Sequence, residues 1–370
     1  MKEKCRVFVQ LFLLLILSAN MAAQTGLTTS GTDFWFGFMN NYLPGSDAEF
    51  TVFISSEQSA SGIIEIPLLG WSQAFNTVVG QTTAIEIPAI ANNNVSGMVE
   101  NRGVHLTSSS PVNVYAMNHV NNSADATRIL PKPFLDISYF VNGYQGQTNI
   151  IDTLRSELLV VATENGTELN IIPACDLLGG FTAGVPFTVQ MEQGETLLLK
   201  ANETEDISGT LITGTEESGD CRPFAVFGGS ECSFVPELCS PCDHIFDQIT
   251  PSSIWGTEYF LVGFDTWISS YTYRITALEN GTVVSVNGTP TFTLNAGQVQ
   301  EVNSNADAVY LSANQPIGVI QYMEGGGCTI SGDPSMMSVN AVQQTMTQVT
   351  FTTIESPIIT EHHLQIIVPT

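Results

Sequence analysis

The sequence predicts an all-β fold of tandem, sandwich-like repeats, and three observations predict it. Short runs alternate apolar with polar residues at 50–54, 63–66, 84–87, 112–115, 196–199, 273–276 and 309–311, and a period of two marks a strand with one face on a core. The 31 Gly and 17 Pro fall between these runs, and no long window keeps the 3.6-residue stripe of a helix. The same segments also recur in the same order about every hundred residues, the size of a small sandwich domain and too long for one propeller blade. A propeller-like all-β array of the same strands is the alternative architecture.

Taken in order, residues 1–23 read as a signal peptide. Lys2, Lys4 and Arg6 precede an apolar run from Val7 to Leu17, and small residues up to Ala23 offer a cleavage site before Gln24. The run is too short to cross a bilayer, and Cys5 lies before it, where no lipid anchor would be attached. Three β repeats are expected at 31–145, 146–265 and 266–355. Glu164-Asn-Gly-Thr167 and Glu279-Asn-Gly-Thr282 place Asn-Gly where a hairpin turn wants positive φ. Gly80-Gln81, Gly194-Glu195 and Gly297-Gln298 each precede a strand, and Pro-apolar-x-Val follows at Pro111, Pro223 and Pro316. The segment 356–370 reads as a strand-like tail resembling the opening of a repeat, as a truncated fourth copy would.

Charge narrows the function. The chain has 36 acidic residues against 10 basic ones, a formal net charge of −26, and removal of residues 1–23 makes it two charges more negative. Nucleic acid is excluded as a partner, because a phosphate backbone needs a basic face. No later segment reaches the ~20 apolar residues of a membrane helix. With 43% apolar residues the acidity does not signal disorder; it suits solubility outside the cell, with calcium or a basic partner as other uses. After each Pro-x-x-Val strand comes an aspartate, Asp125, Asp243 and Asp333. An Asx turn explains such residues, and calcium ligation is the alternative; no EF-hand loop is present. No other cofactor is expected.

Cys175, Cys221, Cys232, Cys239, Cys242 and Cys328 follow the signal peptide, an even set that reads as disulfides in an exported chain. Cys232, Cys239 and Cys242 crowd one loop, Cys175 with Cys221 would tie the middle repeat, and Cys328 would need a partner from the crowded loop. A zinc site at Cys239-Ser-Pro-Cys242 lacks a second Cys-x-x-Cys. The sequence contains neither His-Glu-x-x-His nor Gly-x-Ser-x-Gly. His244 with Asp243 and Asp247 is the best catalytic-looking cluster, but no activated nucleophile stands near it and a turn-supporting histidine is the simpler reading. Trp35, Trp71, Trp255 and Trp267 could stack on sugars, although packing is the commoner fate.

Gly31-Thr-Asp-Phe-Trp-Phe-Gly-Phe38, Gly103-Val-His-Leu-Thr-Ser-Ser-Ser-Pro111, Val114-Tyr-Ala-Met-Asn118, Cys242-Asp-His-Ile-Phe-Asp-Gln-Ile-Thr-Pro251 and Trp255-Gly-Thr-Glu-Tyr-Phe-Leu-Val262 stand in this order. Together they resemble the N-terminal repeat domain of the IgGFc-binding protein family, with its bacterial surface relatives, over about residues 31–353. The resemblance implies a secreted or cell-surface protein working in adhesion or binding, with mucin, a glycan or an extracellular glycoprotein as ligand. It does not carry antibody binding to any residue here. The expectation is therefore a non-enzymatic binding module, against the alternative of a carbohydrate-active enzyme or carbohydrate-binding module whose cleft holds paired carboxylates.

Overall fold

The computed structural model describes residues 29–42, 48–148, 153–214, 222–264, 270–329, 332–346, 349–351, 353, 362 and 364–368. The expected signal peptide, Trp267 and Cys221 lie outside them. Strands β1 (Gly31–Phe36), β2 (Glu49–Ser55), β3 (Ser61–Ile66), β4 (Trp71–Asn76), β5 (Thr83–Ile87), β6 (Val99–Glu100), β7 (Val104–Val120) and β8 (Ser123–Ile129) come first. There follow β9 (Ser138–Phe140), β10 (Gln147–Thr148), β11 (Thr153–Leu154), β12 (Ser156–Ala162), β13 (Thr167–Ile172), β14 (Phe187–Met191), β15 (Thr196–Lys200), β16 (Leu211–Gly214), β17 (Phe224–Ser233) and β18 (Asp243–Gln248). The last are β19 (Gly256–Val262), β20 (Tyr271–Ala277), β21 (Thr282–Val286), β22 (Thr289–Leu294), β23 (Val299–Ser304), β24 (Ala308–Met323) and β25 (Ser335–Ser338). Pairing is antiparallel throughout these strands, and the helices among the described residues are single 3₁₀ turns.

One strand order recurs. The first sheet runs β4-β3-β7-β2-β5 with β1 and β8 on β7, and the last runs β22-β21-β24-β20-β23 with β19 and β25 on β24. The Pro-x-x-Val motif marks where the long strand changes partners. Before Pro111, β7 pairs β1 and β3; after it, β7 pairs β2 and β8. A proline has no N–H for the ladder, so one long strand can bend there and serve two layers. β24 does the same about Pro316. In the middle unit the same path is two strands, β16 pairing β9 and β13, and β17 pairing β12 and β18, with Pro223 between them.

The Asn-Gly turns are present but do not close hairpins. Gly166 (φ 69°) and Gly281 (φ 72°) sit at positive φ, yet β12 and β13 belong to different sheets, and β20 and β21 each pair β24 rather than one another. The turn lifts the chain from one layer to the next, and Thr167 and Thr282 lock it by donating their hydroxyls to the carbonyls of Glu164 and Glu279.

The expected cut after residue 145 falls beyond β9, whose hydrogen bonds go to β16, and the cut after 265 falls beyond β19, which pairs β24. Each junction is a 3₁₀ turn, Pro67–Leu69 and Ala89–Ala91 being others of the kind elsewhere; those at Lys132–Phe134, Ser252–Ile254 and Val342–Gln344 follow Pro131, Pro251 and Ala341. Most of the expected strand-like tail, 356–370, lies outside the described residues; of those described, residues 364–368 belong to no strand, and Ile366 is 71% exposed. A lone strand has no edge to pair with unless a neighbour supplies one.

The units are fused through their cores. Leu158 and Val160 of β12 join the second core, with Tyr139 and Ile212, whereas Leu159 and Val161 face the first, with Phe36, Phe38 and Phe50. The sheet β18-β17-β12-β15 is thus covered on both faces, which is why β12, β15, β17 and β18 are buried along their whole length. Ile320, Tyr322 and Met336 of the last unit enter the second core in turn.

Candidate functional site

The aspartates expected as a repeated set converge on the seam where β8, β18 and β25 meet. The structural register differs from the sequence alignment. Val114 faces Ile129, and the N–H groups of Ile249 and Val339 bond Val226 and Val319, so Ser123, Asp243 and Asp333 occupy matching places and Asp125 lies two residues further on. Asp125 accepts from the N–H of Phe246 (3.0 Å) and of Ala126 (2.8 Å), tying β8 to β18. Asp243 accepts from the Ser123 hydroxyl and from the His244 N–H (2.7 Å). Asp247 accepts from the Thr127 hydroxyl (2.6 Å) and from the N–H and hydroxyl of Ser338 (2.8 and 2.7 Å). These carboxyls do the work of backbone pairing between strands that share no ladder.

Burial and mutual repulsion set their charge. Asp243 is pushed up to about 8, chiefly by burial, with Asp333 adjoining it and the Ser123 hydrogen bond opposing; Asp333 is raised as well. Burial also raises Asp125 and Asp247. His244 is fully buried, and burial lowers it to about 4, so the ring is neutral. Its Nδ1 donates to the Ser230 carbonyl (2.8 Å), and its Nε2 accepts from Asn118 Nδ2 (3.1 Å). Both ring nitrogens are engaged, and nothing here is aimed at a substrate. Among the described residues no group of three or more His, Cys, Asp or Glu is arranged to hold a metal. Of the calcium candidates, both oxygens of Asp125 and Oδ1 of Asp243 accept from protein donors.

Among the described residues, two disulfides link Cys232 to Cys242 and Cys239 to Cys328. The crowded loop is stapled to itself and to the segment after β24. Cys175 is a free thiol among the described residues, its expected partner Cys221 lying outside them; it packs in the second core with its pKa pushed up to about 12, mainly by burial. The tryptophans form no sugar platform. Trp35 is 3% exposed and stacks on His105 at 3.9 Å, Trp71 packs on the first core, and Trp255 lies buried over Gly318.

An open surface with recognisable chemistry lies elsewhere. A groove of about 680 Å³ runs along the first junction, lined by Pro111, Pro131, Pro133, Phe134, Ile137 and Pro223, with Asp33, Lys132 and Asp136 at its margins. Asp33 bonds His105 Nε2 (2.9 Å), Asp136 accepts from the Ile137 N–H (2.8 Å) and the Ser253 hydroxyl (2.5 Å), and Lys132 pairs with Glu164 (3.0 Å). These residues span nearly two hundred positions and only folding collects them. Their sequence signal was the recurrence of Pro before each long strand and after Ile-Leu and Ile-Thr.

Among the described residues no helix is long and apolar enough to cross a membrane. No solved structure gives a significant match. The human IgGFc-binding protein is 26% identical over 313 residues, which cover 80% of this chain and 5% of the human protein. The family model described as IgGFc binding protein matches residues 125–370, more than half of the chain. That match includes β8, β18 and β25 and the 3₁₀ junctions, and by it the chain belongs to the IgGFc binding protein family.

Proposed function

We propose that the protein is an extracellular binding protein, acting in adhesion to mucin, a glycan or a glycoprotein, and that its ligand docks in the proline-lined groove. The groove is the observation that carries this reading. It offers ring faces and apolar edges beside two carboxylates and one ammonium, a mixture suited to an extended chain or a sugar. Two disulfides fit an oxidising compartment, and a name that speaks of Fc binding in the human relative adds an extracellular protein to the ligand classes. The reading takes the chain as three copies of one strand order, divided at the 3₁₀ turns, on a rigid frame.

The test is binding of the purified protein to immobilised mucin, a glycan array and immunoglobulin Fc. Pro133 is exposed, so Pro133→Arg should leave the melting temperature unchanged and weaken binding at least about tenfold, a loss near 1.4 kcal/mol. Binding unaffected by that change would remove the groove from the reading. Asp33 and Asp136 give a second reading some support, as paired carboxylates of a carbohydrate-active site. Glycan turnover lost in Asp136→Asn would decide for it.

A further inference from the structure

A second polar cluster, in the double-faced sheet, plays no part in the groove or the seam. Glu157 of β12 stands directly opposite Lys200 of β15, and Glu231 lies near the end of β17. Their exposures are 0%, 7% and 6%. Lys200 Nζ donates to Glu231 Oε1 at 2.7 Å and lies 3.9 Å from Glu157 Oε2. Asn40, which follows β1 in the first unit, donates its Nδ2 to the same oxygen of Glu231, also at 2.7 Å. An amine and a carboxamide therefore meet on one carboxylate oxygen. The carbonyl of that carboxamide is polarised in turn: Asn40 Oδ1 accepts from Nδ2 of the buried Asn92 at 3.3 Å. The other oxygen of Glu231 is held by the Arg155 N–H at 2.7 Å.

Glu157 completes the set. Neither of its oxygens has a hydrogen-bond partner among the described residues. Burial drives its pKa well above the carboxylate range, against the pull of Lys200 and the nearby Asn40 backbone and with added repulsion from Glu231. A buried, neutral carboxylic acid next to an amine can hand over and take back a proton. As a mere ion-pair cluster the arrangement is poorly explained, since a buried cation with two carboxyls and unsatisfied oxygens is a desolvation cost.

We propose that Lys200 and Asn40 become joined by an intramolecular amide bond, Nζ to Cγ, which stitches the first unit covalently to the second. Lys200 first gives a proton to Glu231. The Nζ lone pair then attacks Asn40 Cγ while Asn92 supports the carbonyl oxygen. Glu157 protonates the departing Nδ2, the Cγ–Nδ2 bond breaks, and ammonia leaves. The surplus proton on Nζ returns to Glu157, and Glu231 passes its proton to the ammonia. The products are one amide and one ammonium ion, both carboxyls end as they began, and no oxidant, metal or cofactor is needed. Proximity supplies the rate, because amine and carboxamide are held together on one carboxylate oxygen.

The experiment is mass spectrometry of the full exported chain. The expected intact mass is lower than the sequence mass, after allowance for the two disulfides, by one molecule of ammonia. An N-terminal glutamine also sheds ammonia on cyclising, so the loss is located by peptide mapping, which should yield a branched peptide holding both Asn40 and Lys200. Glu157→Gln and Lys200→Arg should each restore separate linear peptides; circular dichroism reports whether those variants fold, and the wild-type map decides the matter if they do not. Unmodified Asn40 and Lys200 in separate wild-type peptides would overturn the proposal. So would a loss of water located at Lys200, which would place the bond on a glutamate instead.

Discussion

At the scale of single residues, the seam between β8, β18 and β25 is held by groups whose charge depends on pH. Asp243 has its pKa raised from 3.8 to about 8, so the folded state binds its proton more tightly than the unfolded chain. Folding then takes up a proton between those values, and this contribution to stability grows as pH falls from 8 toward 4. His244 works the other way: lowered from 6.5 to about 4, it withdraws stability as pH falls through that lower window. Between pH 8 and 6.5 only the first effect operates. The urea midpoint should therefore rise on acidification over that range, with a slope up to about 1.4 kcal/mol per pH unit for one proton. Asp243→Asn should flatten it. Since Asp333 adjoins Asp243 and is raised as well, the slope belongs to the pair, and a variant that kept the full wild-type slope would show that the pair does not hold it.

At the scale of elements, the decisive ones are strands that serve two layers. β17 carries Gly228 and Gly229 side by side, and neither has room for a side chain. A Cβ on Gly228 would lie 2.0 Å from the Asn142 carbonyl oxygen, and one on Gly229 would lie 1.9 Å from that of Ile245. Both obstacles are backbone, held by neighbouring chain segments, so the strain cannot be relieved by turning a side chain. Gly228→Ala should cost about 1–3 kcal/mol or more, read as a lower denaturant midpoint. Gly70→Ala in an open turn meets no neighbouring atom and serves as the contrast, costing only the ~1 kcal/mol of placing a side chain at positive φ. Equal losses at the two sites would refute close packing on β17. The element starts carry a smaller recurring device. Tyr139 and Tyr259 each accept from the N–H three residues earlier and donate to the carbonyl after the strand's proline, of Phe224 and Ile317. Phe34 takes the matching place in the first unit without a hydroxyl.

At the scale of the whole molecule, shared cores make the three units one cooperative body. The first core is completed by Leu159, Val161, Leu198, Ala225, Phe227 and Phe246 of the middle unit, so a fragment ending near residue 145 would expose that face. The Cys239–Cys328 bridge closes a separation of 89 residues between the middle unit and the last, a long loop of the kind whose closure stabilises most. Cys328→Ser should lower stability by about 2–5 kcal/mol. Unfolding monitored by far- and near-ultraviolet circular dichroism should stay a single coincident transition in the wild type. Thiol labelling should find Cys175 only after unfolding, and separate transitions for the units would contradict the fused architecture.

The sequence by itself determined the class of the fold and the order of its parts. Alternation of period two, glycine turns and Pro-x-x-Val motifs are local consequences of strand geometry, and β7, β17 and β24 lie where those motifs stand. The crowding of Cys232, Cys239 and Cys242 likewise foretold that one loop would be stapled. Only the tertiary structure decided which strands would face two cores, because an unbroken apolar run such as Leu158–Ala162 records burial and not what lies on each side. It decided the partners of Asp125, Asp243 and His244, whose spacing suggested ligands or catalysis: Asp125 takes the Phe246 N–H of β18, Asp243 the Ser123 hydroxyl of β8, and His244 engages Ser230 of β17 and Asn118 of β7. It also assembled the groove and the Asn40–Lys200 cluster from residues up to 160 positions or more apart. The amide that meets the Lys200 amine comes from another unit, and no local pattern in the sequence encodes that encounter.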